Sequence, residues 1–219
     1  MQSSYSQEQD AESLEYDTNY KEDQFYIGVT YNLLTQKPSG VSQSGFSSGF
    51  HFGFIKDMPI NQNRNMAIGV GLGASINSFN QNMLIDKIDD KYVYSVLDEN
   101  ITPYSKNKFT HYLIEAPIEF RWRTSTPSEY KFWRVYTGIK LGYLISNSSK
   151  FISDSNTVKL NNISDFNKFQ YGFTLSAGYN TWNVHLYYAL NTIFNNDAEI
   201  SNEGLNMTAV KIGLIFYLL

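Results

Sequence analysis

The residues that could carry chemistry are six charged side chains in strand-like stretches of the sequence. They are Glu115, Glu119, Arg121, Arg134, Lys140 and Lys211. If the stretches on either side of residue 127 pair as a hairpin, Glu115 lies opposite Lys140. Glu119 then lies near Tyr136 and diagonal to Arg134. Because an isolated buried charge is costly, we interpret the six as an ion-pair network that fills an interior. A catalytic carboxylate pair is the alternative, although nothing in the sequence indicates a solvent cleft beside it.

The elements that must position these charges are eight segments of about ten residues in which apolar and polar residues alternate. Such alternation is typical of β-strands. No charged residue falls on the apolar faces, while the polar faces are rich in Gly, Ser, Asn and Tyr. An outward apolar band around an inward polar lumen is the pattern of an outer-membrane barrel. The sequence therefore predicts an all-β protein, an eight-stranded antiparallel up-and-down transmembrane β-barrel, with a soluble sandwich or barrel as the alternative.

The connections between the segments alternate between long and short, which gives the predicted barrel a direction. Connections 77–109, 146–168 and 191–208 are long and polar, and those near residues 61, 127 and 180 are short. Outer-membrane barrels have long extracellular loops and short periplasmic turns. We therefore expect both ends of the barrel domain on the periplasmic side. Eight strands leave a lumen just wide enough for side chains to fill, so a passive channel is a weaker alternative.

The aromatic content is high, with 17 Tyr, 15 Phe and 3 Trp, or 16% of the chain against 17% charged residues. In the barrel these side chains fall into two rings near the strand ends, as expected of aromatic girdles at the two membrane interfaces. The periplasmic girdle includes all three tryptophans. We assign to it Trp122, Trp133, Tyr179 and Trp182.

Three inward histidines could form a metal site, because imidazole is a common zinc ligand. We expect His111 near the outer end, His185 near the periplasmic end and His51 between them, and these different heights argue against shared ligation. The absence of Cys removes thiolate sites and disulfides. We expect no metal, no cofactor and no catalytic residue. An enzyme would need a nucleophile beside a base, and no inward serine (Ser47, Ser75, Ser176) has a histidine at a convincing spacing.

Residues 1–23 form an acidic segment that we expect to be a flexible periplasmic tail, with the barrel domain spanning residues 24–219. The segment has neither a basic start nor an apolar stretch, so we expect an export signal to have been removed. The net charge of −4 with 17 Lys+Arg argues against nucleic acid as a partner. We expect an outer-membrane protein whose partners are the lipid bilayer with its lipopolysaccharide and other envelope proteins.

The turn within residues 120–138 is the most distinctive segment of the chain. Basic and aromatic residues alternate there, which is typical of a membrane anchor in which Trp and Arg meet the lipid interface. The alternative is a docking surface for a periplasmic partner. The candidate docking residues are Arg123, Thr124, Ser125, Thr126, Pro127, Glu129, Tyr130 and Lys131.

At residues 121–144 the chain reads RWRTSTPSEYKFWRVYTGIKLGYL, which resembles the PorT family of small outer-membrane barrels of Bacteroidetes. The resemblance in barrel layout extends over residues 24–219. It implies a non-enzymatic component of the type IX protein secretion machinery, which also supports gliding in some members. A general accessory or structural barrel, serving envelope integrity or barrel assembly, is the alternative. An outer-membrane lipase or protease is a third hypothesis.

Overall fold

The computed structural model describes residues 23–124 and 133–218. Eight long strands in this part of the chain form the barrel. They are β1 Gln24–Thr35, β2 Ser48–Pro59, β3 Met66–Asn80, β6 Tyr104–Arg123, β7 Trp133–Ser153, β9 Phe169–Tyr179, β10 Trp182–Ala189 and β13 Thr208–Leu218. Five shorter strands belong to the connections between them. They are β4 Met83–Ile88, β5 Lys91–Val96, β8 Thr157–Asn161, β11 Glu199–Ile200 and β12 Glu203–Gly204. No helix in the described part is long and apolar enough to cross a membrane.

The eight long strands close into an antiparallel barrel, as the alternation predicts. Each strand pairs with its neighbours in chain order, and β1 pairs with β13 to complete the ring, with Tyr26 opposite Tyr217. Closure leaves no unpaired sheet edge, which is what the hydrocarbon core of a membrane requires of a β-structure. The fold is an eight-stranded up-and-down β-barrel.

Burial alternates residue by residue along the strands, and the two faces are the predicted ones. Within β1, Phe25 and Ile27 are 61% and 50% exposed, whereas Tyr26 is 2% exposed. The outward side chains form the apolar band and the inward ones fill the lumen. The register of β6 and β7 differs from the expected one by two residues, since Glu115 pairs with Gly142 and Lys140 with Pro117. An even shift keeps every side chain on its predicted face.

The two ends of the barrel differ as the loop lengths predict. Residues 60–65, 124–132 and 180–181 connect strands at one end, which also holds the start of β1 and the end of β13. By the loop rule for outer-membrane barrels this end is periplasmic. The polar connection expected over 77–109 is wrong in part, because β3 and β6 continue into it and β4 and β5 form a hairpin between them. With 20 and 21 residues, β6 and β7 are about twice as long as a membrane crossing needs.

Above the membrane, the extracellular connections pack around an apolar core of their own, here called the outer cap. Its core includes Phe79, Met83, Ile85, Tyr94, Phe109, Ile163, Phe166, Ile193, Phe194, Ile200, Leu205 and Met207. Aromatic rings from different connections meet there: Phe166 and Phe194 have centroids 4.6 Å apart and are joined by a β-bridge. The expectation of merely polar outer loops is therefore incomplete, since these loops close the outer end of the barrel.

The acidic tail predicted over residues 1–23 lies outside the described residues except for Asp23. The Oδ1 atom of Asp23 accepts a hydrogen bond from the backbone N–H of Asp57 at 2.7 Å. Asp23 thus belongs to the barrel rim rather than to the tail.

Candidate functional site

The middle of the lumen holds a buried polar group of side chains, here called the central cluster: His51, Ser75, Glu115, Lys140 and Lys211. The Glu115 carboxylate lies 3.3 Å from Lys140 Nζ and 3.2 Å from His51 Nδ1. Ser75 Oγ donates a hydrogen bond to its other oxygen at 2.7 Å. Lys211 Nζ lies 4.8 Å from the centroid of the Tyr187 ring. Glu115 and Lys140 thus form the predicted ion pair, although they do not lie opposite each other in register.

The periplasmic half of the lumen holds a second group, here called the arginine cluster: Gln24, Asp57, Glu119, Arg121, Arg123 and Arg134. Arg121 Nη1 and Arg123 Nη1 bind the two carboxylate oxygens of Asp57 at 2.9 and 2.8 Å. Arg121 also bonds Gln24 and lies 3.7 Å from Glu119. Its guanidinium carbon lies 4.1 Å from the centroid of the Tyr136 ring. The Asp57 carboxylate offsets part of the buried guanidinium charge, and an aromatic face adds a cation–π contact.

All six charged residues predicted for the lumen lie inside the barrel and are at most 6% exposed. Sequence reasoning missed Asp57, which is fully buried and joins two arginines. The signal for Asp57 was present. The inward series of β2 runs His51, Gly53, Ile55 and then Asp57, and it is seen only if the alternation is followed to the end of the strand at Pro59.

The structure corrects the prediction for Arg123, which was assigned to an exposed docking surface on the periplasmic turn. Its side chain is 0% exposed and points into the lumen toward Asp57. The cause is the length of β6, which continues to Arg123, so that this odd-numbered residue keeps the inward phase of Glu119 and Arg121. Thr124 is exposed, and Ser125, Thr126, Pro127, Glu129, Tyr130 and Lys131 lie outside the described residues.

Glycines on the inward face make room for the large lumen side chains, as their spacing indicates. A Cβ atom on Gly69 would lie 2.6 Å from Cδ of Arg121, and one on Gly73 would collide with the hydroxyl of Tyr26. Neither position has space for a side chain in the present packing. These glycines therefore serve packing and do not form a nucleotide-binding loop.

The histidines occupy two levels rather than three. His111 lies near the outer end as predicted, with its ring centroid 4.4 Å from that of Phe166 in the outer cap. His185 does not lie near the periplasmic end, because its ring centroid is 6.5 Å from that of His51 in the middle of the barrel. Barrel strands are tilted relative to the barrel axis. Two residues at different distances from the ends of their strands can therefore lie at the same height in the barrel. Within the described residues, no three His, Asp or Glu side chains are arranged to hold a metal ion.

One serine has a histidine neighbour that sequence spacing did not reveal. Ser176 Oγ lies 2.7 Å from His185 Nδ1, across the β9–β10 pair where the two residues are in register. Both side chains are 2% exposed, and Tyr217 donates a hydrogen bond to the same serine at 3.4 Å. No described carboxylate bonds Nε2 of His185. The pair thus lacks both the third residue of a triad and access to a substrate.

The aromatic girdles lie on the outward face at both ends. On the periplasmic side, ring centroids are 5.3 Å apart for Trp133 and Tyr179, and 5.2 Å apart for Trp182 and Phe216. On the outer side, Tyr143 and Phe169 are 5.2 Å apart. Trp122 also points outward. Amphipathic rings at two levels delimit the membrane-spanning belt.

Residues 5–195 match the family described as the outer membrane protein beta-barrel domain. The chain belongs to this family. Together with the closed barrel, this membership locates the protein in the outer membrane. A solved structure that aligns with the chain is Ail, the attachment invasion locus protein of Yersinia pestis. The sequence identity is 13% and the TM-score is 0.37, and the alignment covers 90% of this chain and 97% of the Ail chain. No curated protein matches the chain.

Proposed function

We propose that this outer-membrane barrel is a non-enzymatic component of the type IX protein secretion machinery that acts through contacts with other proteins. The resemblance of residues 121–144 to the PorT family supports this proposal. The described part of that segment forms the end of β6 and the first half of β7, on either side of the periplasmic turn. A function in gliding would follow from the same machinery.

The observation that carries the proposal is the filling of the barrel interior at every level. The arginine cluster occupies the periplasmic half and the central cluster the middle. The apolar core of the outer cap closes the extracellular end. An eight-stranded barrel packed in this way offers no route for a folded or unfolded substrate. Its contribution to secretion would therefore come from its surfaces.

The periplasmic turn between β6 and β7 is the surface we propose for partner binding. Thr124 and Trp133 fix its base, with Thr124 N–H bonding the Trp133 carbonyl at 2.9 Å and Trp133 N–H bonding Thr124 Oγ1 at 3.0 Å. Arg123 is removed from the proposed surface because it is buried. The docking residues that remain are Thr124, Ser125, Thr126, Pro127, Glu129, Tyr130 and Lys131.

The test is genetic complementation of a deletion strain with a variant in which Glu129, Tyr130 and Lys131 are replaced by serine. We expect the variant to reach the outer membrane in normal amounts and to fail in export of type IX cargo. The matched control replaces Asn61, Gln62 and Asn63, in the neighbouring periplasmic turn, by serine and should export normally. Normal export in the deletion strain itself would overturn the proposal.

The same strains separate secretion from the alternative of a general accessory barrel. A deletion that leaves export intact but makes cells sensitive to detergent, or lowers the amounts of other barrels, would favour envelope integrity or barrel assembly. Independently of these phenotypes, cross-linking through residue 130 in intact cells would identify the partner directly. We expect components of the secretion machinery.

A further inference from the structure

Four lysines lie together on the outward face of the barrel wall above the membrane, here called the outer lysine row: Lys106, Lys108, Lys150 and Lys159. Lys108 is in register with Lys150 across β6 and β7, and Lys150 with Lys159 across β7 and β8. Lys106 lies two residues from Lys108 on the same face of β6. Alternate residues such as Phe109 and Phe151 point inward and are buried, so the lysines point outward.

Within residues 23–124 and 133–218, no carboxylate forms an ion pair with this row. The strand segments 104–111, 146–153 and 157–161 contain no Asp or Glu. Partial burial lowers the pKa of Lys108, and the charges of Lys106 and Lys150 lower it further. Like charges directly opposite each other on a sheet are destabilising, so an external anion would relieve the arrangement.

The row lies directly above the outer edge of the membrane belt. Along β6, alternate residues run from Lys108 through Thr110, which is buried, to Tyr112 of the outer girdle. Four residues of a strand span about 13 Å. The ammonium groups thus stand at the height of the headgroups of the outer leaflet, and the apolar band beneath them faces its acyl chains.

A cleft of about 440 Å³ opens at the same interface, beside β7 and β8. A β-bulge at Ile145 spreads the wall here, since Tyr112 pairs with Ser146 and Leu113 with Leu144. The far wall, residues 162–168, is held by Asn147, whose side chain bonds the backbone of Ile163 at 2.7 and 3.1 Å.

The lining of this cleft changes from apolar to polar. Tyr143 and Ile145 are exposed toward the membrane belt, whereas Ser146, Asn162 and Lys168 supply polar groups. A molecule that is apolar at one end and anionic or hydroxylated at the other matches this lining.

We propose that the outer lysine row and the adjoining cleft bind the phosphorylated headgroup of an outer-leaflet glycolipid of the lipopolysaccharide type. The lysines meet its phosphates, the cleft takes part of its sugar, and the acyl chains lie against the outer girdle. The row would bind such a lipid whether or not the barrel serves secretion, because the site requires only the outer-membrane location.

The experiment measures binding of lipid A carrying both phosphates to the purified full chain in detergent, by native mass spectrometry and by a titration. The test variant is K106Q/K108Q/K150Q/K159Q. The matched control is K37Q/K56Q/K87Q/K91Q, which removes the same number of lysine charges elsewhere. We expect the test variant to bind at least about tenfold more weakly and the control to bind like the wild type. The shift in gel mobility on heating reports whether each barrel is folded.

Three outcomes would overturn the proposal. In the first, lipid A without phosphates binds the wild type as tightly as the phosphorylated form. In the second, the folded test variant binds like the control. In the third, inorganic phosphate or a soluble acidic polysaccharide binds the lysine row as tightly as phosphorylated lipid A does, which would mean that the row recognises free anions rather than the lipid. Should the fourfold variant not fold, K106Q/K159Q is compared with K87Q/K91Q, because Lys106 and Lys159 are the two exposed lysines of the row and Lys87 and Lys91 are exposed as well.

Discussion

The lumen within the membrane belt has a mostly polar interior and the outer cap above it has an apolar one, although the same strands line both. On β1 the inward residues change from Thr30 and Asn32 to Leu34, and on β3 from Asn77 to Phe79. The inward phase of each strand is unbroken, and only the polarity of its residues changes. The change occurs at about the height of the outer girdle.

The surroundings of the barrel wall explain this inversion. Within the belt the wall faces lipid, so its outward residues are apolar and the narrow interior holds polar side chains, among them the ion pairs of Glu115 and Asp57. Above the belt the wall faces water, and burial of apolar surface inside again favours folding. The lumen therefore depends on charge pairing and the cap on packing, which predicts different responses to substitution.

The largest effect is expected for Asp57→Ala in the arginine cluster. Arg121 and Arg123 would lose the carboxylate that both bind, and removing one partner from a buried ion pair costs about 4–5 kcal/mol. Urea unfolding in detergent, followed by tryptophan fluorescence, measures the change. Asp154→Ala, at an exposed site above the barrel, is the control. A loss below about 1 kcal/mol would contradict the importance of charge pairing in the lumen.

A somewhat smaller and more local effect is expected for Phe194→Ala in the outer cap. Phe194 is 0% exposed and contacts the rings of Tyr94, Phe109 and Phe166. Truncating such a residue costs about 3–4 kcal/mol. We expect faster hydrogen exchange and proteolysis in residues 81–103, with the barrel strands still protected. Phe169→Ala, on the lipid-facing surface, should leave the cap protected. Equal loss of protection in the barrel would show that the two regions unfold together.

A third prediction concerns the hydrogen bond from Tyr94 OH to Asp165 Oδ2, 2.8 Å long, inside the cap. Tyr94→Phe should cost about 2 kcal/mol, the range for a hydrogen bond to a charged group. Burial, followed by the bond to Asp165, raises the pKa of Tyr94. The hydroxyl therefore stabilises the fold fully below pH ~10, the ordinary value for tyrosine, and loses this contribution as the pH rises further.

Stability measured for the wild type and Y94F between pH 6 and pH 11 tests this point. The difference between the two should be constant to about pH 9 and should shrink above about pH 10. A difference that grows with pH would mean that the tyrosine is stabilised as the phenolate.

The smallest effect, of opposite sign, is expected for Lys150→Gln in the outer lysine row. Removing the middle charge of three in register should stabilise the barrel by about 0.5 kcal/mol in detergent without glycolipid. The same variant should lose this advantage when phosphorylated lipid A is added. Lys87→Gln, which breaks an exposed ion pair with Asp90, should bring no gain in either condition.

Much of the barrel could be predicted from the sequence because the alternation that indicates a barrel strand is a pattern of neighbouring residues. The period of two assigns each residue to a face, so the six lumen charges and the lipid-facing tryptophans were placed correctly. The sequence indicates the faces of a strand more clearly than its ends. For this reason Asp57 and Arg123, which lie near the ends of long strands, were not recognised as lumen residues. The partners of the charges also depended on register, which shifted by two residues between β6 and β7.

The sequence by itself determined the number of barrel strands, their two faces and the end with the long loops, because alternation and loop length are properties of neighbouring residues. Only the tertiary structure decided which charges meet, that Ser176 lies beside His185, and that the outer loops share one apolar core. Those contacts join residues far apart in the chain. Closure of the barrel and the tilt of its strands determine their distances, and neither is visible in any single segment.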